Sequence, residues 1–411
     1  MTGRVVVLLA AALLLTACTS TAAPSSPSTG MHSSSRDTSS ARATPAASPA
    51  ARPAFGLADL LPGMPAPLDP TNIYAADTTL SASVRGDLPR VYVPNTRSDT
   101  VTVIDPATYR VIGTIRVGHE PQHVVPSWDL RTLWVNDDLG NALTPIDPRT
   151  GLAGAPVAVA DPYNLYFTPD GRYAVVMASA LHRLDFRDAH TMAVHRRVPV
   201  PCAGVNHADW TADGRYFLVS CEFSGKLLWV DTAAEKVVHV LTMASPSTSA
   251  SMGAMPMPQD VKISPDGRRF YVADMQSSGV WVYDVRADGR APALERFIRT
   301  GNGAHGLYVS RDARYLYISN RGEGSISVLR FRDEALVAKW RIPGGGSPDM
   351  GNLSADGSVL WLSGRYDGVV YAISTRNGRL LAKIPVGVEP HGLTVWPQPG
   401  RYSLGHTGIL R

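Results

Sequence analysis

Cysteine is scarce, at 3 in 411 residues, which excludes a disulfide-dense scaffold and a polythiolate metal cluster. No apolar run reaches the 18 or more residues that a membrane span requires; the longest, Val5 to Leu15, has 11. An excess of one charge is also missing. Lys plus Arg number 39 against 35 Asp plus Glu, and the basic residues are scattered, so neither a nucleic-acid footprint nor a polybasic membrane surface is present. The chain has no C-x-x-C-H for covalent haem, no G-x-S-x-G and no phosphate-binding loop, so three large enzyme classes lose their usual signal. Turn formers, by contrast, are abundant. With 36 Gly and 32 Pro, the composition disfavours a helical bundle and favours an all-β architecture.

The 11-residue run follows Arg4 and ends in Leu15-Thr16-Ala17-Cys18. It is too short to span a bilayer and has the length of a signal-peptide core. Those four residues resemble the bacterial lipobox. The resemblance implies that residues 1–17 are a lipoprotein signal peptide and that Cys18 is lipidated, anchoring the protein at the extracytoplasmic face of the cell membrane. Between Thr19 and Ala54, thirty of thirty-six residues are Ser, Thr, Ala, Pro or Gly, so this stretch has no apolar face to bury. Residues 18–54 are expected to be a disordered tether, holding residues 55–411 roughly 30 Å from the membrane.

Beyond the tether a short β-branched or aromatic run recurs, beginning at Val91, Leu133, Tyr173, Tyr216, Phe270, Leu316 and Leu360, with spacings of 42, 40, 43, 54, 46 and 44. A period in the forties with several strands per unit indicates a β-propeller, because one small sheet cannot bury both faces until neighbours stack around an axis. Turn aspartates precede six of the runs (Asp129, Asp170, Asp213, Asp266, Asp312 and Asp356), mostly in Asp-Gly pairs that mark tight hairpins. The expected fold is all-β: a seven-bladed propeller of four-stranded antiparallel blades, its last innermost strand, His391 to Trp396, closing against the first set. Eight blades are the alternative count, because Arg401 to His406 looks like an eighth run and Leu80 to Val84 like a first innermost strand.

Val91-Tyr92-Val93-Pro94-Asn95 and Leu316-Tyr317-Ile318-Ser319-Asn320 resemble the Tyr-Val-Thr-Asn signature of the YVTN-repeat β-propeller family. The resemblance covers about Val91 to Trp396. It implies the fold and little about activity, since related propellers include haem d1 domains, the propeller of nitrous oxide reductase and lactonases.

In a propeller, the loops leading into the innermost strands meet at one rim of the central channel. They place His123, Asn164, His207, Asp260, His305, Asp349 and His391 at one structural level, and loops leaving the second strands add Glu222, Asp274, Asn320, Arg321, Glu323, Arg365 and Asp367. Imidazoles and carboxylates converging on a channel suit a transition metal or acid–base chemistry, and His123, His207, His305 and His391 are the candidate metal ligands. Arg321 and Arg365 are candidates to clamp a carboxylate or phosphate. His123, His207 and Asp260 lie six residues before their turn aspartate, whereas His305 and Asp349 lie seven before theirs. In a regular strand that offset reverses the side chain, so a bulge is required if all are to face the axis. The plain alternative is that these are lead-in residues of the repeat, bonding their own loops.

Met252, Met255 and Met257 form M-x-x-M-x-M, which suits Cu(I) and resembles methionine motifs of extracytoplasmic copper proteins. His119 to His123 matches H-E-x-x-H, but Pro121 interrupts the helix that motif needs, and the match is rejected. Cys202 and Cys221 flank one innermost-to-second hairpin and are expected to form a disulfide. Three readings remain open on the sequence. One is a binding module whose polar rim takes a small ligand, a metal ion or an envelope protein. Another is a redox enzyme or accessory protein using non-covalent haem d1 or copper at the same rim. The third is an inert interaction scaffold. Whether the chain is an enzyme is undecided, with the weight against it.

Overall fold

Each repeat supplies three or four short strands whose sequence decides their place. Runs such as Phe270-Tyr271-Val272-Ala273 are apolar on both sides and lie between neighbouring blades, fully buried. Outermost strands such as Arg110–Arg116 and Val194–Pro199 are polar and mostly exposed. The computed structural model describes residues 56–76, 78–244 and 255–411. The signal peptide, Cys18, the tether and Met252 therefore lie outside the described residues. Among those described there is no α-helix, only strands and three short 3-10 turns.

The strands form seven four-stranded antiparallel sheets. The first blade runs from Thr394–Trp396 through Arg90–Asn95 and Thr100–Asp105 to Arg110–Arg116, and the pairing of Tyr92 with Thr394 closes the ring. The innermost strands of the second to seventh blades are Pro121–Pro126, Asn164–Phe167, Val205–Trp210, Pro258–Ile263, Ala304–Val309 and Pro348–Leu353.

At one end of the channel, each turn aspartate accepts from a Ser or Thr hydroxyl two residues earlier, as Asp170 does from Thr168 at 2.6 Å and Asp312 from Ser310 at 2.6 Å. The following residue takes a left-handed conformation: glycine at 171, 214, 267 and 357, but Leu130 and Ala313 in the other two turns. This end is covered by the segment before the first blade, where the Leu61 amide donates to Asp213 O (2.8 Å) and that of Ile73 to Pro265 O (2.9 Å).

The seven blades expected from the repeats are present, and the alternative of eight falls away. Ala82–Val84 is a 3-10 turn, not a strand. Arg401 to His406 belongs to a hairpin that enters the channel from the covered end. Its arms are joined by Leu404 N to Ile409 O (2.7 Å) and Arg401 N to Arg411 O (2.8 Å), and its apex is Gly405-His406-Thr407-Gly408. Tyr402, Leu404, Ile409 and Leu410 are buried. At the foot, Arg411 Nη2 meets Asp209 Oδ1 at 2.8 Å, both groups out of solvent.

Candidate functional site

Every complete innermost strand except Asn164–Phe167 carries a register shift: between Pro121 and Val124, Val205 and Ala208, Pro258 and Val261, Ala304 and Leu307, and Pro348 and Gly351. Each shift sets three steps on the inner strand against two on its partner, which is the bulge that the six-versus-seven offset requires. Both offsets therefore face the axis, at two depths. Gln122, Tyr163, His305 and His391 line the mouth. His123 and His207 lie below it, fully buried.

The four histidines expected as one ligand set separate accordingly. His305 and His391 group with Asp349, while His123 and His207 group with His406. His406, at the apex of the channel hairpin, was not among the residues picked from the sequence. Its neighbours Gly405 and Gly408, both at positive φ, are the local signal for a tight turn there. The rings run in series: His305 to His391 at 6.3 Å between centroids, His391 to His123 at 4.7 Å, His123 to His406 at 5.2 Å and His406 to His207 at 4.8 Å. Gly392 is fixed by this packing, since a Cβ there would meet the His123 ring at 2.0 Å.

Burial pushes His123 down to about 3 and holds His207, His391 and His406 well below the ordinary imidazole range. These rings are neutral at pH 7. Burial alone would raise Asp349, but its neighbours His305 and the Arg321 guanidinium hold it well below the usual carboxylate range. It lies 3.0 Å from His305 Nδ1 and 3.1 Å from Arg321 Nη1.

Above these rings opens a cavity of about 440 Å³. Its basic arc comes from the sixth and seventh blades. Arg321 lies over the exposed ring of Tyr366 at 5.4 Å, and Arg365 has a buried Nη1 with no hydrogen-bond partner, 3.8 Å from Asp349 Oδ2. The opposite arc, on the second to fourth blades, is acidic: Glu120, Asp138, Asp161 and Glu222. Asp138 and Asp161 both line this arc, and burial, then the Asp161 charge, raises Asp138 to about 8. Exposed Leu139, Phe223 and Tyr366 complete the lip.

The other sequence candidates serve the scaffold. Asn164 bridges the channel rings, its Nδ2 lying 3.3 Å from His207 Nδ1 and 3.1 Å from His406 Nδ1. Asp260 accepts from the amides of Val261 and Leu307. Asp274 bonds Trp281 Nε1 and the Met257 amide, Asn320 bonds Ser325 and Ser327, Glu323 pairs with Lys339, and Asp367 bonds Ser347 and Tyr371. Met255 is half exposed beside Gly225. His119 pairs with Asp99 in solvent while His123 is buried, as rejection of the H-E-x-x-H match requires. Cys202 and Cys221 are bonded, with Cα atoms 6.1 Å apart.

Haem d1 does not fit this channel, because Tyr402, Leu404 and His406 occupy the axis where a macrocycle would need an open slot. The two clusters, His123 with His207 and His406 and His305 with Asp349 and His391, have the composition of groups that could hold a metal ion.

Solved structures with the same fold include hydrazine synthase of Kuenenia stuttgartiensis (20% identity, TM-score 0.58, covering 71% of this chain and 94% of that one). The periplasmic gluconolactonase PpgL of Pseudomonas aeruginosa is similar at 19% identity and TM-score 0.61, covering 76% and 99%. The dihydro-heme d1 dehydrogenase NirN matches at 15% identity and TM-score 0.56, covering 80% and 78%. At these identities the likeness establishes the fold alone. The sequence profile of the YNCE-like β-propellers matches residues 54–399, and the chain belongs to that family.

Proposed function

We propose that this chain is a lipid-anchored, extracytoplasmic binding module whose channel mouth takes a small zwitterionic solute, of which a free amino acid is the simplest case. The observation that carries this reading is the division of one cavity into a basic arc at Arg321 and Arg365 and an acidic arc at Glu120, Asp138, Asp161 and Glu222. A guanidinium with an unused buried N–H favours a carboxylate, and the facing carboxylates favour an ammonium group. A volume of about 440 Å³ lies within the range of small-ligand sites. The lipobox resemblance at Cys18 supports the location.

Calorimetric titration of free amino acids, their amides and their deaminated analogues tests the reading. Amino acids should bind, and either analogue should bind about tenfold more weakly or worse. Arg365→Ala and Glu222→Gln should each weaken binding by a similar factor. Equal binding of the three ligand classes, or none by the folded protein, would refute it.

A further inference from the structure

We propose that His123, His207 and His406 bind one transition-metal ion, copper(I), in the shaft below the mouth. The site is separate from the solute pocket and does not depend on it. A ring nitrogen from each histidine lies within 4.8 Å of those of the other two, and all three Nε2 atoms are buried without a hydrogen-bond partner. Buried polar atoms are normally satisfied, and three unpartnered nitrogens within one cluster of rings point to a missing shared partner.

The opposite ring edges are held. His123 Nδ1 donates to Tyr163 O at 3.0 Å, which leaves the Nε2 lone pair aimed inward. Asn164 Nδ2, whose amide oxygen accepts from Leu165 N, faces Nδ1 of both His207 and His406 as a donor, and Tyr166 Oη lies 3.4 Å from His207 Nδ1; binding an ion at Nε2 therefore shifts these ring protons to Nδ1 and turns the Asn164 amide. Metal–nitrogen bonds of about 2.0 Å require nitrogens about 3.5 Å apart, so small ring rotations close the site around an ion.

The donor set decides the metal. Three neutral imidazoles suit late first-row ions, with copper the tightest of the divalent series. The three rings are buried from solvent, and the Asp260 carboxylate lies 3.9 Å from His406 Nε2. Asp260 already faces the buried Lys262, so the site offers an ion no net negative charge, and the ion of lowest charge costs least to bury. The three imidazoles are the whole of the proposed ligand set, with no thioether. His305 and His391, which line the mouth, continue the series of rings down to His123 and give the ion a route inward. No electron transfer is involved: the ion enters as copper(I) and displaces no covalent bond.

The test uses the full-length protein in detergent, stripped of metal and titrated anaerobically with copper(I) against a chromogenic copper(I) chelator. The expected result is one equivalent bound, a rise in melting temperature on loading, and X-ray absorption showing three nitrogen neighbours and no sulfur. His406→Gln and His207→Gln should each weaken binding about 100-fold, while His305→Gln leaves the equilibrium affinity within a few-fold. Circular dichroism of the stripped variants separates lost ligation from lost folding. Should His406→Gln not fold, the wild-type spectrum and His207→Gln still decide. The inference is overturned if the folded wild-type protein takes up no copper(I), if zinc binds more tightly, if the absorption spectrum shows sulfur ligands, or if His305→Gln abolishes binding.

Discussion

The hairpin in the channel is anchored by the ion pair between Arg411 and Asp209, and breaking that pair should cost a large part of the domain's stability. The two groups meet at 2.8 Å with side chains 6% and 0% exposed. Arg411 also lies over the Tyr74 ring at 4.4 Å, and Asp209 Oδ2 accepts the Ile263 amide at 3.0 Å. Removing one partner of a buried pair strands the other's charge, a cost of about 3–5 kcal/mol. Arg411→Met and Asp209→Asn should both fall in that range, the asparagine still offering an oxygen to Ile263. Asp209→Ala also orphans a buried amide, adding about 1–3 kcal/mol. Because domains of this kind have about 5–15 kcal/mol in total, the alanine variant is the one at risk of not folding. The doubly apolar variant Asp209→Leu/Arg411→Met leaves no uncompensated charge, and it should be more stable than Arg411→Met alone. Urea unfolding, with midpoint and slope fitted for each variant, measures all four. Costs below about 1 kcal/mol for the single variants, or a double variant worse than both, would show that the pair is solvated and the hairpin not seated.

Further outcomes follow from other parts of the structure. Replacing Cys202 and Cys221 together by alanine opens a loop of separation 19 and should lower unfolding free energy by about 3 kcal/mol, read by urea titration; no change would contradict the bond. Asp138 is raised to about 8 by burial and by Asp161, so its protonated form is the one the fold prefers. That preference contributes fully below the ordinary carboxylate pKa and is lost as pH rises through about 8. Melting temperatures should therefore fall further for the wild type than for Asp138→Asn as pH rises toward about 8 and run parallel above it, and curves parallel throughout would contradict the buried pair. Ala313 holds a left-handed conformation at φ 56° where four sister turns use glycine. Ala313→Gly should stabilise by about 0.5–1 kcal/mol, and a loss of stability in urea would show that the turn is not strained.

The blade count, the ring closure at Thr394–Trp396 and the convergence of the lead-in residues were legible because they depend on period and strand order, which the sequence repeats seven times. The offset between His123 and His305 even contained the two depths of the channel, once a bulge is allowed. What was not legible is unrepeated. His406 has no counterpart in other blades, and the run Arg401 to His406 has the same apolar pattern as a strand, so only tertiary contact reveals it as a hairpin in the shaft. The acidic arc was missed for a related reason. Asp138 and Asp161 stand in loops that differ from blade to blade, and proximity across two blades leaves no mark in spacing. Of the polar residues placed at the rim, Asp274, Asn320, Glu323 and Asp367 bond the scaffold of their blades, a use that residue type alone does not distinguish from ligand binding.

Amide hydrogen exchange along Arg401–Arg411 tests the central claim most directly, because the site below the mouth exists only if this segment fills the channel. The amides of Leu404 and His406, which donate to Ile409 O at 2.7 Å and Leu165 O at 2.9 Å, should be protected as strongly as those of the innermost strand Val205–Trp210. Exchange at the rate of a free peptide would place the hairpin outside the channel and remove His406 from its two partners.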